Sequence, residues 1–130
     1  MEVKWGGIYM YEPPTVSTSP HAASLTTSGS EQAGLRPYII VSRDAVNKNK
    51  PMAVGVPLTT RIDKANSYRI ALPAAELIPD VGCYPFQDSV ALCDHVRVLD
   101  LDRIRKKIGK LSDNAAVAVG LGLAFVFDLR

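Results

Sequence analysis

Short β-prone apolar runs, each stopped by a cluster of turn residues, fill the first hundred positions and restrict the fold more than any other feature. Ile8-Tyr9-Met10-Tyr11 is halted by Pro13-Pro14. Residues 36–42, Arg-Pro-Tyr-Ile-Ile-Val-Ser, are nearly continuously apolar after Pro37, which suits a strand's first position because a missing N–H does least harm there. A polar turn rich in Asn and Lys is expected over 44–51, then a strand over 52–58 in which Gly55 marks a bulge or a close backbone approach. Thr59-Thr60-Arg61 ends that strand. Further strands are expected over 67–72, 89–92 and 96–99.

The pattern changes towards the C-terminus. Over 73–88 only Ala74-Ala75-Glu76-Leu77 reads as ordered, as a helical turn. Asp100 has the form of an N-cap, and a short amphipathic helix through Ile104 and Ile108 is expected, with Lys106-Lys107 in its last turn and Gly109 as its left-handed stop. Ser112-Asp113 caps a final helix reaching about residue 129. Val119, Leu121, Leu123, Phe125 and Phe127 also alternate, so a strand is the alternative there; the Ala-rich composition and the clean cap favour helix. Strands followed by helices give an α+β fold with a small, strongly curved sheet in a single domain, 1–130. Residues 15–34, rich in Ser, Thr, Ala and Gly, show no periodicity. They read as a long loop, extended over 15–28, that is either functional or an insertion.

Composition removes several classes. The 130 residues are 47% hydrophobic, enough for a core, so a wholly disordered chain is not expected. Fifteen Lys and Arg against thirteen Asp and Glu leave a net charge of +2, a weak pointer to a polyanion. Cys83 and Cys93 form no C-x-x-C pair; free thiols in a reducing cytoplasm are expected, with no metal and no cofactor. The N-terminal residues carry no signal-like apolar stretch, and the uncharged run 115–127 is too short to span a bilayer, so a cytoplasmic protein without a membrane partner is expected.

Three segments carry chemistry. Gly29-Ser30-Glu31-Gln32-Ala33-Gly34-Leu35-Arg36-Pro37 places a hydroxyl, a carboxylate, an amide and a guanidinium beside glycines at a strand entrance, a device for holding phosphate. Its alternative is a polar loop with a surface Arg. Pro57-Leu58-Thr59-Thr60-Arg61 puts hydroxyls at a strand end, where threonines also cap turns for local reasons. Cys93-Asp94-His95-Val96-Arg97 brings together a carboxylate, an imidazole and a guanidinium; strand alternation would point Asp94 and His95 opposite ways with Arg97 on the face of His95. A surface Asp–Arg pair beside a hydrogen-bonded His is the plainer reading.

Taken in order, these segments resemble the MazF/PemK toxin family, and the likeness extends through Ser89-Val90-Ala91-Leu92 to the segment 100–109. The resemblance implies an SH3-like curved β-barrel with a short helix and a C-terminal helix, usually a homodimer. It implies a toxin of a type II toxin–antitoxin system, a sequence-specific endoribonuclease cutting single-stranded mRNA by attack of the RNA's own 2′-OH, without a metal. By motif position Arg36 would stabilise the phosphorane charge and could protonate the leaving oxygen, and Thr59 would match the catalytic threonine. Glu31 and Asp94 are the candidates for the general base. Ser30, Gln32, Thr60, Arg61, His95 and Arg97 would contact RNA. Departures include Leu35 and the long 15–28 loop, and His95 stands where Gln is common. A cognate antitoxin with an acidic tail would be the protein partner, and Arg43, Lys48, Lys50, Arg61, Lys64 and Arg69, in the loops after the second and third strands, could attract it or RNA. A non-catalytic module of the same fold, such as a gyrase poison, and a decayed or repurposed toxin are the competing readings.

Overall fold

The computed structural model describes residues 2–14, 34–49 and 51–129. Among them the strands are β1 (Gly7–Tyr11), β2 (Arg36–Ile40), β3 (Met52–Thr59), β4 (Arg69–Leu72), β5 (Leu77–Pro79), β6 (Ser89–Leu92), β7 (Arg97–Asp100) and β8 (Ile104–Leu111). A short helix, α1 (Asp44–Asn49), links β2 to β3, and a longer one, α2 (Asp113–Phe127), follows β8. All strand pairs are antiparallel, in the order β4-β6-β3-β2-β1-β8-β5 with β7 also beside β3, and the sheet curls into a half-barrel.

β3 is the hub. Gly55 pairs with Ile40 of β2 and with Arg97 of β7, so these neighbours occupy opposite edges. Beyond β7, the end of β3 pairs with β6 through Leu58↔Ala91 and Thr59↔Val90. Gly55 is required by a close approach: a Cβ there would run into the Leu99 side chain.

Curling buries both faces of the central strands. Ile8 and Ile39 enter one cluster, with Val56, Leu58 and Leu77, which α2 closes with Ala115 and Val119. Their neighbours Tyr9, Tyr11, Tyr38 and Ile40 enter a second, filled by Val3, Ala53, Leu99 and Ile104. Strands buried on both sides read as continuous apolar runs rather than as alternation. Tyr11 meets Tyr38 edge to face at 5.3 Å, and its hydroxyl accepts the Asp100 N–H at 3.1 Å, so the buried phenol is satisfied.

Two expectations need correction. Residues 44–49 form α1 rather than a turn, because Asn47 is buried and useful: its amide donates to the carbonyls of Val3 (3.2 Å) and Ser42 (3.1 Å), fastening the segment to the sheet. The amphipathic helix expected through Ile104 and Ile108 is strand β8. Asp100 does cap, accepting from the Asp102 N–H at 3.0 Å, but it caps only a single 3-10 turn, Leu101–Arg103. The β8 pairing with β1 shifts register twice, between Ile8 and Tyr9 and between Met10 and Tyr11, which erases the two-residue alternation and leaves a helix-like spacing. Gly109 lies inside β8, where a Cβ would collide with the Ile78 carbonyl and stand 2.7 Å from the Phe86 ring. The final segment is the helix expected, and Ser112 caps it by accepting from the Ala115 N–H at 3.1 Å.

Candidate active site

Arg36 and Thr59 sit at abutting strand ends. Arg36 opens β2, half-buried and opposite Tyr11; Thr59 closes β3. The β2–β3 pairs run Ile40↔Gly55, Ile39↔Val56 and Tyr38↔Pro57. Counting the same register two residues further sets Arg36 across from Thr59, and cross-strand partners share a face. The Thr59 hydroxyl accepts the Arg61 backbone N–H at 3.1 Å, which leaves its O–H to donate. Thr60 is exposed at the bend that follows. Arg61 is also exposed, its guanidinium 3.3 Å from both Asp63 oxygens.

A cavity of about 360 Å³ adjoins this strand end. Thr59 and Thr60, Pro37, Leu58, Ser89 and Ile108 line it, the segment 82–87 contributes a wall, and the exposed Lys106 borders it. By strand alternation Pro37 and Leu58 face the α2 side of the sheet, whereas Arg36 is not among the lining residues. Two compartments therefore meet at Thr59. The wall is held at both ends: Asp80 N–H donates to the Ile108 carbonyl at 2.9 Å, Gly82 turns with φ 85°, and Asp88 accepts the Ala74 N–H at 2.8 Å.

Asp94 is engaged elsewhere. Cys93–His95 is a 3-10 turn, so the strand alternation expected for Asp94 and His95 does not apply. The Asp94 carboxylate takes a fork from Arg69, with Nη2 to Oδ2 at 2.7 Å and Nε to Oδ1 at 3.0 Å. These hydrogen bonds hold its pKa below the usual carboxylate range, and the same contact raises that of Arg69. The His95 ring is exposed, with Nε2 3.8 Å from Asp94 Oδ2. Arg97 is exposed at the start of β7, opposite Gly55, so Asp94 pairs with Arg69 rather than with the arginine nearest in sequence. Ser30, Glu31 and Gln32 lie outside the described residues.

Of the basic residues noted in the sequence, Lys50 lies outside the described residues and the others fall towards opposite ends of β3. Arg43 and Lys48 lie at α1; Arg61 and Lys64 follow Thr59, and Arg69 is bound to Asp94. An eight-residue strand separates the two groups by roughly 20 Å, so they do not make one patch. Sequence reasoning missed Arg69 as the partner of Asp94, and it missed Tyr84, Phe86 and Lys106 as walls of the cavity. The one available signal was the aromatic-Pro-aromatic string Tyr84-Pro85-Phe86 in a stretch with no periodicity.

Solved structures share this architecture over nearly the whole chain. MazF from Deinococcus radiodurans superposes with a TM-score of 0.67 at 22% identity, covering 99% of each chain. An endoribonuclease in complex with its cognate antitoxin from a mycobacterial species gives 0.67 at 20% identity, covering 98% of this chain and 97% of that one. At such identities the likeness defines the class by fold: a curled sheet with a C-terminal helix, as in MazF toxins. Sequence takes the assignment further. Endoribonuclease MazF of Staphylococcus saprophyticus is 36% identical over 101 residues, 73% of this chain and 80% of that protein. The profile described as "PemK-like, MazF-like toxin of type II toxin-antitoxin system" matches residues 21–127. The chain belongs to this family of PemK-like, MazF-like toxins.

Proposed function

We propose that this toxin is a sequence-specific endoribonuclease that cuts single-stranded mRNA without a metal, by attack of the 2′-OH on the adjacent phosphorus. The base takes the 2′-OH proton, the new O2′–P bond closes a cyclic phosphate, the P–O5′ bond breaks, and the departing 5′-oxygen takes a proton from water to leave as a hydroxyl. The observation that supports this reading is the β2–β3 register, Tyr38↔Pro57 through Ile40↔Gly55, which when continued by two residues brings Arg36 opposite Thr59. Arg36 neutralises the charge that grows on the phosphoryl oxygens, and Thr59 donates its O–H to one of them; fixed donors of this kind contribute about 2.7–4 kcal/mol each. A guanidinium does not lose its proton in proteins, so the role of Arg36 is electrostatic. Of the two carboxylates named for the base, Asp94 is occupied by Arg69 and weakened as a proton acceptor, which favours Glu31. Ser30, Gln32, Thr60, Arg61, His95 and Arg97 are assigned to RNA contact in this reading.

In the same proposal the protein works in the cytoplasm as a homodimer and is restrained by a cognate antitoxin. The α2 face bearing Val117, Leu121 and Phe125, all more than 60% exposed, supports the homodimer. The test is cleavage of single-stranded RNA in EDTA by the purified chain. Wild type should release fragments with 5′-hydroxyl ends, and Arg36→Ala should lower kcat by about 100-fold or more while the circular dichroism spectrum stays unchanged. Intact RNA after incubation with folded wild type overturns the reading.

A further inference from the structure

The cavity beside Thr59 shares that residue with the proposed phosphate site and extends from it towards the 82–87 segment. Its volume, about 360 Å³, falls in the range of small-ligand pockets. Two aromatic side chains belong to its wall, and their settings differ. Phe86 is fixed: it packs on the main core, and its ring lies so close to Gly109 that no side chain fits between them. Tyr84, two residues earlier, is 92% exposed, although nothing in the packing requires a tyrosine there. The intervening Pro85 and the anchored ends of the segment limit the freedom of its backbone. A large amphipathic ring held out on a stiffened rim is a ready stacking surface, and unpaired bases stack on such rings. Lys106, on β8 opposite Met10, supplies a cation at the border and makes no ion pair among the described residues.

We infer that this cavity holds one unpaired nucleobase of the RNA strand, next to the cut phosphate, stacked on Tyr84 with Lys106 on a neighbouring phosphate. The inference rests on the nuclease reading and deepens it: the strand passes over the end of β3, leaving its phosphate on the Arg36 side and turning a base past Thr60 into the cavity. Occupancy by a base follows from continuity with Thr59 and Thr60, from the aromatic walls and from the positive border. Tyr84 is thereby a specificity residue, outside the cutting machinery.

The experiment uses the full chain and an RNA oligonucleotide containing a mapped cut site, made uncleavable by a 2′-deoxy substitution at the attacking nucleotide. Bases within two positions of the cut are replaced one at a time by abasic sites, and binding is followed by fluorescence anisotropy. One abasic position should weaken wild-type binding about ten-fold, and Tyr84→Ala should weaken the intact oligonucleotide by a similar factor without responding further to that abasic site. Tyr84→Phe should restore both the affinity and the abasic penalty. Tyr84→Ala should raise KM with kcat nearly unchanged and relax the base preference at the same position among sequenced ends. Lys106→Ala should reduce the salt dependence of binding by about one ion. If wild type cuts RNA but Tyr84→Ala binds as tightly, or shows the same abasic penalty, the subsite is refuted while the nuclease stands. If wild type neither cuts nor binds, the nuclease reading falls and the subsite with it.

Discussion

At the scale of single residues, the contrast between Asp94 and Arg36 is the most instructive. Both stood in the sequence as chemically loaded positions, but local spacing could not show that Asp94 is claimed by Arg69, which reaches it from the next strand along the sheet edge. Partnering of that kind is set by register, which the sequence does not display. It has a testable consequence for stability. Because hydrogen bonds from Arg69 depress the native pKa of Asp94, the contribution is fully present above the ordinary carboxylate pKa of about 3.9 and is lost as pH falls through the lower native value. Wild type should therefore melt higher than Asp94→Asn at pH 7, and the gap should hold down to about pH 4 and close only below it, as Asp94 takes up its proton in the native state; a gap that stays constant under acid would argue against the pairing. Cys93 shows the opposite influence: burial pushes its thiol up to about 11, leaving it a packing group.

At the scale of elements, the legible parts were those whose signal is local. The strands β1, β2, β3, β4, β6 and β7 announced themselves as apolar runs, and Ser112 announced α2 as a cap. β5 and β8 were missed for physical reasons: the first is a three-residue edge strand, and the bulges facing β1 hide the second. α1 was missed because the inward role of Asn47 depends on the sheet beneath it. Inside α2 the two glycines, Gly120 and Gly122, look equivalent in sequence but are not. A Cβ at Gly120 meets nothing within 4 Å, so Gly120→Ala should gain about 0.5–1 kcal/mol from helix propensity and lost chain entropy. A Cβ at Gly122 would stand 2.7 Å from Ile70 Cγ1 and 2.9 Å from Cys93 Sγ, so Gly122→Ala should lose about 1–2 kcal/mol as the crowding outweighs the same gain. Urea denaturation of both variants checks the opposite signs.

At the scale of the whole molecule, the chain places its chemistry on the rim. Both faces of the central strands are buried, so side chains at strand ends and in connections are the ones free to meet a substrate. The fold class was readable in advance because strands precede helices, and the residues proposed for the phosphate half of the candidate site drew attention because they form recognisable strings. The cavity was not readable, since it is assembled from β2, β3, β8 and the 82–87 segment. Self-association belongs to this scale as well. Val117, Leu121 and Phe125 recur every four residues along α2 and are exposed, so light scattering should give twice the chain mass, and Leu121→Glu should give a monomer of unchanged secondary structure. A monomeric wild type at micromolar concentration would remove α2 as the dimer surface. Finally, the double engagement of β3, with β2 along one edge and β7 and β6 sharing the other, has a kinetic corollary. Each β3 amide points to a single edge, but freeing the whole strand means detaching three others, so the buried amides of Val56 and Leu58 should be among the slowest to take up deuterium. They should exchange at the rate of global unfolding, while those of the edge strand β5 exchange much sooner through local fraying.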